Sequence, residues 1–495
     1  MVLMVYNSLT CQKEEFKPNN PHEVLVYVCG PTVYDSPHLG HAKSAVAFDL
    51  IRRYLKFRGY NVKLVKNYTD IDDKIIKRAN ERGINFNQLS EYYIKEYIEI
   101  MDLLNIEEDY KNPRATEVID YMIEMIQGLI DKGHAYESNG SVYFKVDSFP
   151  KYWGLFWNVS EEELKKFIEE RESDTRDEES RYGLTHEGAH TSEIEEKFNP
   201  KDFALWKKSK ENEPYWESPW GNGRPGWHIE CSAMALKFLG ETIDIHGGGQ
   251  DLKSPHHQNE IAQSEAYTGK PFANYFMHNG FVNIDNEKMS KSLGNFFLVS
   301  DVAKAYEPMV IRLFLISSQY RKSLNYSLEN IEQAKKNYEK LINTIQKIND
   351  SPTVEKESEK NNELIKRIDS AKKNIISAMD DDFNTPVALA EIMSLFRELN
   401  RAIIEEKTEI NHNFKENIFD FITYIDKIFG ILPQLKKLME GGLTSVANEE
   451  DENIIKELLE IFKETRAKLR AQKLYDISDY IREKLQELGI KIEDK

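Results

Sequence analysis

The stretch Val24-Leu25-Val26-Tyr27-Val28-Cys29-Gly30-Pro31 decides the fold. Its apolar, β-branched run stopped by Gly-Pro has the pattern of a buried strand. After a short loop, residues 45–55 place Ala47, Leu50, Ile51, Tyr54 and Leu55 at i, i+3, i+4, i+7 and i+8, which predicts an amphipathic helix. Gly59 ends it, and Asn61-Val62-Lys63-Leu64-Val65 reads as a second strand. Strand, helix, strand over so few residues is a βαβ unit and implies a parallel sheet. The alternation resumes at Gly226. Ile243-Asp244-Ile245-His246 predicts a strand, Gly247-Gly248-Gly249 a glycine loop, and the segment from about Pro255 to Tyr267 a helix. Two such halves separated by a long insertion predict one split, doubly wound α/β domain of the nucleotide-binding kind.

Outward from these halves the chain changes character. Residues 160–200 hold 14 acids and 6 bases, sparse aliphatics and no clear period, which reads as an exposed, charged insertion. Beyond residue 310 the patterns become helical. Residues 350–362 and 440–453 read as polar connectors. Ile455, Leu458, Leu459 and Phe462 mark one late amphipathic helix, and Ile477, Ile481, Leu485 and Leu488 a second, closed by Gly489. The expected organisation is therefore 1–125 and 221–310 as the two halves of the α/β domain, 126–220 as the connecting insertion, 311–440 as a helical bundle and 450–495 as a small helical domain.

With 495 residues there is ample chain for a large core and several domains. A net charge of −18 argues against a body that coats anionic surfaces, while leaving room for a local basic face. The segment Lys463, Arg466, Lys468, Arg470, Lys473 is such a face, or else a solvated helix surface. Three cysteines, Cys11, Cys29 and Cys231, cannot staple a fold this size and fit a reducing compartment. The N-terminal residues lack a basic n-region, and no apolar run approaches the ~18 residues of a membrane span. A cytoplasmic protein without a membrane partner is the expectation.

Two short motifs are candidates for chemistry, although taken alone the first reads as two polar loop histidines without a role and the second stands beside a solvated loop. Pro37-His38-Leu39-Gly40-His41 lies at the carboxyl edge of the predicted sheet, where a helix N-terminus offers donors to phosphate oxygens. Lys288-Met289-Ser290-Lys291-Ser292, with Gly294 after it, suits a polyphosphate clamp, since lysine is a point charge that follows a phosphate. His256 and Glu260 stand at i and i+4, on one face of the predicted helix. With Cys29 and Cys231 they make a zinc donor set of thiolate, imidazole and carboxylate. Their sequence spacing is not that of a finger, so from the residues alone two core thiols and a surface His–Glu pair are the preferred reading.

Together, the two motifs resemble the HIGH and KMSKS signatures of class I aminoacyl-tRNA synthetases. Residues 27–35, 67–74, 202–207, 226–234, 244–252 and 255–262 narrow the resemblance to cysteinyl-tRNA synthetases, from about residue 5 onward except for the acidic stretch. The resemblance implies a split Rossmann-type catalytic domain with an inserted connective segment, followed by a helical-bundle tRNA-binding region, to which residues 380–386 belong. It implies ATP-dependent ligation of L-cysteine to tRNA(Cys) through a cysteinyl-adenylate, by a monomer. His38, His41, Lys288 and Lys291 would act on the triphosphate. Gly247, Gly248, Gly249 and Asp251 would lie against the adenosine, and Mg²⁺ would accompany ATP. Cys29, Cys231, His256 and Glu260 fall on the zinc-ligand positions, one ion per chain, with His257 facing elsewhere. Thr69, Trp227 and His246 fall near the bound amino acid. A hydrophobic pocket separates near-isosteres such as cysteine and serine by only about 10–200-fold. Zinc prefers the soft thiolate, so sulfur itself would be read and no editing domain needed.

Some residues depart from the family pattern. Leu39 stands for the usual Ile, and Ser254 and Gln258 flank the zinc positions in place of Phe and Glu. A C-terminal tail with Gly and Trp, common in relatives, does not follow Lys495. Cys11 matches no ligand. Two alternatives stand beside the ligase reading: a relative that joins cysteine to an amino sugar, and a non-catalytic tRNA-binding paralogue.

Overall fold

The computed structural model describes residues 2–156, 197–285, 287–288, 296–356 and 358–433, together with 465, 468–470 and 477. The chain divides into two compact units, Met1–Pro433 and Gln434–Lys495. Within the second unit, Thr465, Lys468–Arg470 and Ile477 are helical. The rest of the basic segment and the late apolar stripe lie outside the described residues, as does most of the acidic stretch.

The first unit is organised on a four-stranded sheet in the order Ala273–Asn279, Ile243–Gly249, Glu23–Val28, Asn61–Lys66. All three pairings are parallel. The two sequence halves meet where Tyr27 stands opposite His246 and Val28 opposite Gly247. Strand order thus reverses between the first and second halves, and the carboxyl edge there is a crevice for ligands. The helix Leu39–Phe57 crosses over the sheet and buries Val46, Phe48, Leu50, Ile51 and Tyr54.

Two elements differ from the sequence expectation. The helix begins at Leu39 rather than near residue 45, so His38-Leu39-Gly40-His41 is its cap and first turn. The glycines 247–249 are the end of a strand rather than a loop. Phe48 packs directly on the sheet at that point: a Cβ on Gly247 would sit 2.3 Å from its ring, and one on Gly248 2.9 Å from Leu252. Backbone pairing continues because these residues carry no side chain to block it.

The expected insertion, together with the residues flanking it on both sides, contributes the helix Ile119–Asp131 and a four-stranded antiparallel sheet ordered Ala135–Ser138, Ser141–Phe144, Phe203–Lys208, Gly223–Pro225. Its apolar face joins the core around Phe144, Trp206, Ile229 and Met234. The C-terminal part of the unit is helical: Leu328–Asp350, Glu359–Asp380, Thr385–Asn400 and His412–Phe429. Ile368, Ile375, Ile392, Phe396, Phe421 and Ile425 make its interior.

Candidate metal and nucleotide site

Cys29 follows the central strand, and its N–H donates to the Gly247 carbonyl at 2.9 Å. Cys231 lies in the helix Trp227–Leu239. Glu260 lies in the first turn of the helix Gln258–Thr268, and His256 in the turn before it. One donor atom from each of Cys29, Cys231, His256 and Glu260 falls within 4.8 Å of all the others. Glu260 Oε1 lies 3.3 Å from Cys29 Sγ and 3.1 Å from His256 Nε2. The sequence reading that left a surface His–Glu pair open is thereby excluded, since His256 is 2 % and Glu260 0 % exposed.

The environment prepares these groups for a cation. Burial pushes the Cys29 thiol well up, so it keeps its proton and donates toward Cys231. That hydrogen bond, with His256 nearby, outweighs burial and holds Cys231 down at about 6. Burial alone would lower His256, but Glu260 and Cys231 raise it. Among the described residues the second oxygen, Glu260 Oε2, has no hydrogen-bond partner. It lies 3.1 Å from His246 Nε2 without the angle a hydrogen bond needs. A buried carboxylate oxygen left unpaired is costly, and a bound cation relieves that cost. Two thiols, an imidazole and a carboxylate are donors that zinc accepts, so the residues fit the ion.

The ring of His256 is oriented from behind. Its Nδ1 lies 2.8 Å from His228 Nδ1. If Nε2 faces a cation, Nδ1 carries the proton and donates to His228, the arrangement that commonly fixes a histidine ligand. His257 does not simply face elsewhere. Its Nδ1 meets His278 Nε2 at 2.9 Å, and its Nε2 sits 4.0 Å from Glu260 Oε1. Burial first, and then the imidazoles His246 and His278, push His257 well down, so it is neutral.

Beside this cluster opens a cavity of about 420 Å³ lined by Cys29, His38, Gly40, His41, Trp227, Gly249 and Asp251, among others. His38 and His41 form a reciprocal cap. His38 Nδ1 accepts from Gly40 N at 3.0 Å and His41 N at 3.3 Å, and His41 Nδ1 accepts from His38 N at 3.3 Å. Both Nδ1 atoms are acceptors, so in the neutral rings each proton sits on Nε2. The rings stack with centroids 3.7 Å apart. The helix start therefore offers two imidazole donors together with its positive dipole end. The chain after the lysine motif is stitched to it: Leu39 N donates to Phe297 O and Val299 N to Pro37 O, both at 3.1 Å. The backbone of Lys288 ends a short strand pair with Val282–Ile284. Its side chain, and Lys291 with it, lie outside the described residues.

Several expected contacts sit differently. Trp227 is 38 % exposed, lines the cavity and tilts over His256 with centroids 4.3 Å apart. Thr69 and His246 are instead buried behind the lining. The Thr69 hydroxyl donates to Glu230 Oε2 at 2.9 Å, and the His246 ring stacks on Tyr27. Gly247 and Gly248 are buried against Phe48 and His257, so of the three glycines Gly249 reaches the cavity.

A family model, "tRNA synthetases class I (C) catalytic domain", matches residues 15–336, and a "DALR domain" model matches residues 374–433. Cysteine–tRNA ligases from Thermococcus gammatolerans and Pyrococcus abyssi are 45 % and 46 % identical, each alignment covering 100 % of this chain and 98 % of the relative. The chain belongs to the cysteine–tRNA ligase family of class I synthetases. Its fold is shared more widely. Mycobacterium tuberculosis methionyl-tRNA synthetase with methionyl-adenylate aligns at TM-score 0.64 and 15 % identity, over 84 % of this chain and 93 % of that one. An Agrobacterium radiobacter LeuRS–tRNA–LeuAMS ternary complex aligns at 0.60 and 12 %, over 87 % and 86 %.

The family motifs also contain residues whose part the sequence reading missed. Asn67, fully buried, accepts from Gly30 N at 2.9 Å, donates to Thr69 Oγ1 at 3.3 Å and lies 3.7 Å from Cys231 Sγ. Glu230 backs Thr69, with its carboxyl pushed well up by burial and by Cys231. The two departures near the cluster answer each other: Ser254 Oγ donates to Gln258 Oε1 at 2.8 Å, and Gln258 Nε2 donates to the Tyr152 carbonyl at 2.7 Å. A glutamate at 258 has no N–H for that carbonyl. Cys11 bonds to the Ser8 carbonyl, away from the cluster.

Proposed function

We propose that this chain ligates L-cysteine to tRNA(Cys) through a cysteinyl-adenylate, with zinc held by Cys29, Cys231, His256 and Glu260. The observation that carries this reading is the buried two-thiol, imidazole and carboxylate set, which reaches through Cys29 a cavity that His38 and His41 also line. When bound there, zinc favours a substrate thiolate over the hydroxyl of serine.

In the first step a carboxylate oxygen of cysteine attacks the α-phosphorus of ATP and pyrophosphate leaves. In the second, a hydroxyl of the terminal tRNA ribose attacks the acyl carbon and AMP leaves. Neither step needs a protein nucleophile; positioning and charge stabilisation suffice. His38 and His41 point Nε2–H donors at the triphosphate, and Lys288 and Lys291 neutralise the pyrophosphate side, where Mg²⁺ accompanies ATP. Gly249 leaves room for the nucleoside beside Asp251. Trp227 packs on the amino-acid side, and Asn67, Thr69 and Glu230 hold the strand end behind it. The helical bundle and the basic C-terminal segment grip the tRNA. A cytoplasmic monomer goes with this reading; no described helix is long and apolar enough to cross a membrane.

Cysteine-dependent ATP–pyrophosphate exchange, run alongside metal analysis of protein prepared without added zinc, tests the proposal. About one zinc per chain, with cysteine preferred over serine by more than the ~200-fold a plain pocket allows, is expected. Metal-loaded protein with no cysteine-dependent exchange sinks the reading. Selective exchange by metal-free protein keeps the ligase and removes the zinc. Charging of an amino sugar in place of tRNA would favour the paralogue, against which stands the match over 97–98 % of the ligases' own length.

A further inference from the structure

The turn between the helices Glu359–Asp380 and Thr385–Asn400 is held in a costly shape. Asp382 and Phe383 have φ of 59° and 51°, left-handed backbone that residues with a Cβ avoid. Such a shape persists only where its surroundings impose it. Here the Asp382 carboxylate is fully buried and saturated. Oδ1 accepts from Tyr6 N and from Tyr320 OH, both at 2.9 Å. Oδ2 accepts from Gln319 Nε2 at 3.0 Å and Arg321 Nε at 2.7 Å. The Asp382 N–H donates to the Met4 carbonyl at 3.0 Å.

The neighbouring acids extend the grip. Asp380 accepts from Tyr54 OH at 2.6 Å, on the helix Leu39–Phe57, and pairs with Arg58, which caps that helix. Asp381 pairs with Lys13. Three consecutive carboxylates thus hold the N-terminal strands, the Leu39–Phe57 helix and the connector that leads into strand Leu324–Tyr326. That connector is also anchored without them: Lys43 Nζ donates to the Lys322 carbonyl at 2.6 Å. None of Tyr6, Gln319, Tyr320 and Arg321 lines the cavity. Loosening Asp382 therefore removes one tie of the bundle, while the Lys43 contact and the hydrogen bond from Gly280 N to the Tyr320 carbonyl at 2.9 Å still hold the connector beside the cavity.

We propose that Asp382 is a positioning residue for the tRNA-dependent step: the Asp380–Asp382 turn sets how the helical bundle is presented to the catalytic half, and cysteine activation does not depend on it. The inference rests on the ligase reading. Full-length wild type and Asp382→Asn are compared in cysteine-dependent ATP–pyrophosphate exchange and in tRNA charging. Absence of both reactions in wild type fails the ligase reading rather than this one. With wild type active, exchange within about twofold and charging kcat/KM down about tenfold or more are expected for the loss of a charged acceptor. Equal loss in both reactions, or loss in neither, overturns the proposal. Where Asp382→Asn does not fold, Tyr320→Phe and Arg321→Gln each remove one donor. A charging loss of about threefold with exchange retained is then expected, and an unsplit loss or none overturns it.

Discussion

Two buried carboxylates of the catalytic half invite comparison. Asp49 and Glu260 are 1 % and 0 % exposed. Asp49 is complete: Oδ1 accepts from Arg52 and from Glu107 N, and Oδ2 from Arg53 and Arg312. Arg312 goes on to the Leu104 and Phe429 carbonyls, so this knot ties the Leu39–Phe57 helix to the end of the bundle. Glu260 is incomplete, with an unpaired oxygen and two thiols and an imidazole turned toward it. Equal burial therefore hides opposite roles. A saturated buried charge holds structure, whereas an unsaturated one with soft and hard donors around it fits a cation.

The largest expected effect breaks the open cluster. Cys231→Ser removes the donor held lowest, and zinc affinity, measured by competition with a chromophoric chelator, should fall more than about 100-fold. Serine rejection should fall with it. Unchanged affinity would mean that the ion, if any, sits elsewhere.

Next comes the closed cluster. Asp49→Asn takes a shared anion from three guanidinium groups, of which the fully buried Arg312 pairs with no other carboxylate among the described residues, and should cost about 3–5 kcal/mol in denaturant unfolding at pH 7. Metal binding should change little by comparison. Burial alone would raise the Asp49 carboxyl, but Arg312, Arg53 and Arg52 together hold it well below the carboxylate range. A depressed folded value contributes stability above the unfolded value of about 3.9 and loses it as pH falls through that region. The difference between wild type and variant should therefore shrink below about pH 4. A difference that grows on acidification would refute the assignment.

A smaller effect sharpens the contrast. His228→Phe removes the acceptor behind His256 while keeping a ring in its place and should weaken zinc binding about 10–100-fold, with the melting temperature of the metal-free protein nearly unchanged. Equal loss in both would make His228 a packing residue. The smallest probe lies between the clusters: Gly247→Ala drives a methyl into Phe48 and should cost about 1–3 kcal/mol. A neutral result would mean that the Phe48 ring has room to give.

Much of this was legible along the chain. The Val24–Cys29 run and the helix period after it announced a parallel sheet, because burial on both faces demands such residues. His256 and Glu260 announced a shared face at i and i+4. The glycines 247–249 were legible as glycines but not as strand, because what crowds Gly247, the Phe48 ring, is 199 positions away. Asn67, Glu230 and His228 stood inside family motifs, yet nothing local tells a hydrogen-bonded support from a neighbour. The long-range grip of residues 380–382 was likewise invisible, since three acids in a row usually mark a solvated turn.

What the sequence by itself determined is local and periodic: strands, helices, the kinds of donor available and the family they resemble. Only the tertiary structure decided which donors meet. Cys29 and Cys231 are 202 positions apart, and their thiols share one buried site because the two halves of the sheet pair strand to strand. Burial then held the Cys29 thiol up, while the hydrogen bond from it, with His256 nearby, held Cys231 down against burial. Proximity in space and removal from water are properties of the packed chain, and they turn the same residue types into a finished ion pair at Asp49 and an open ligand set at Glu260.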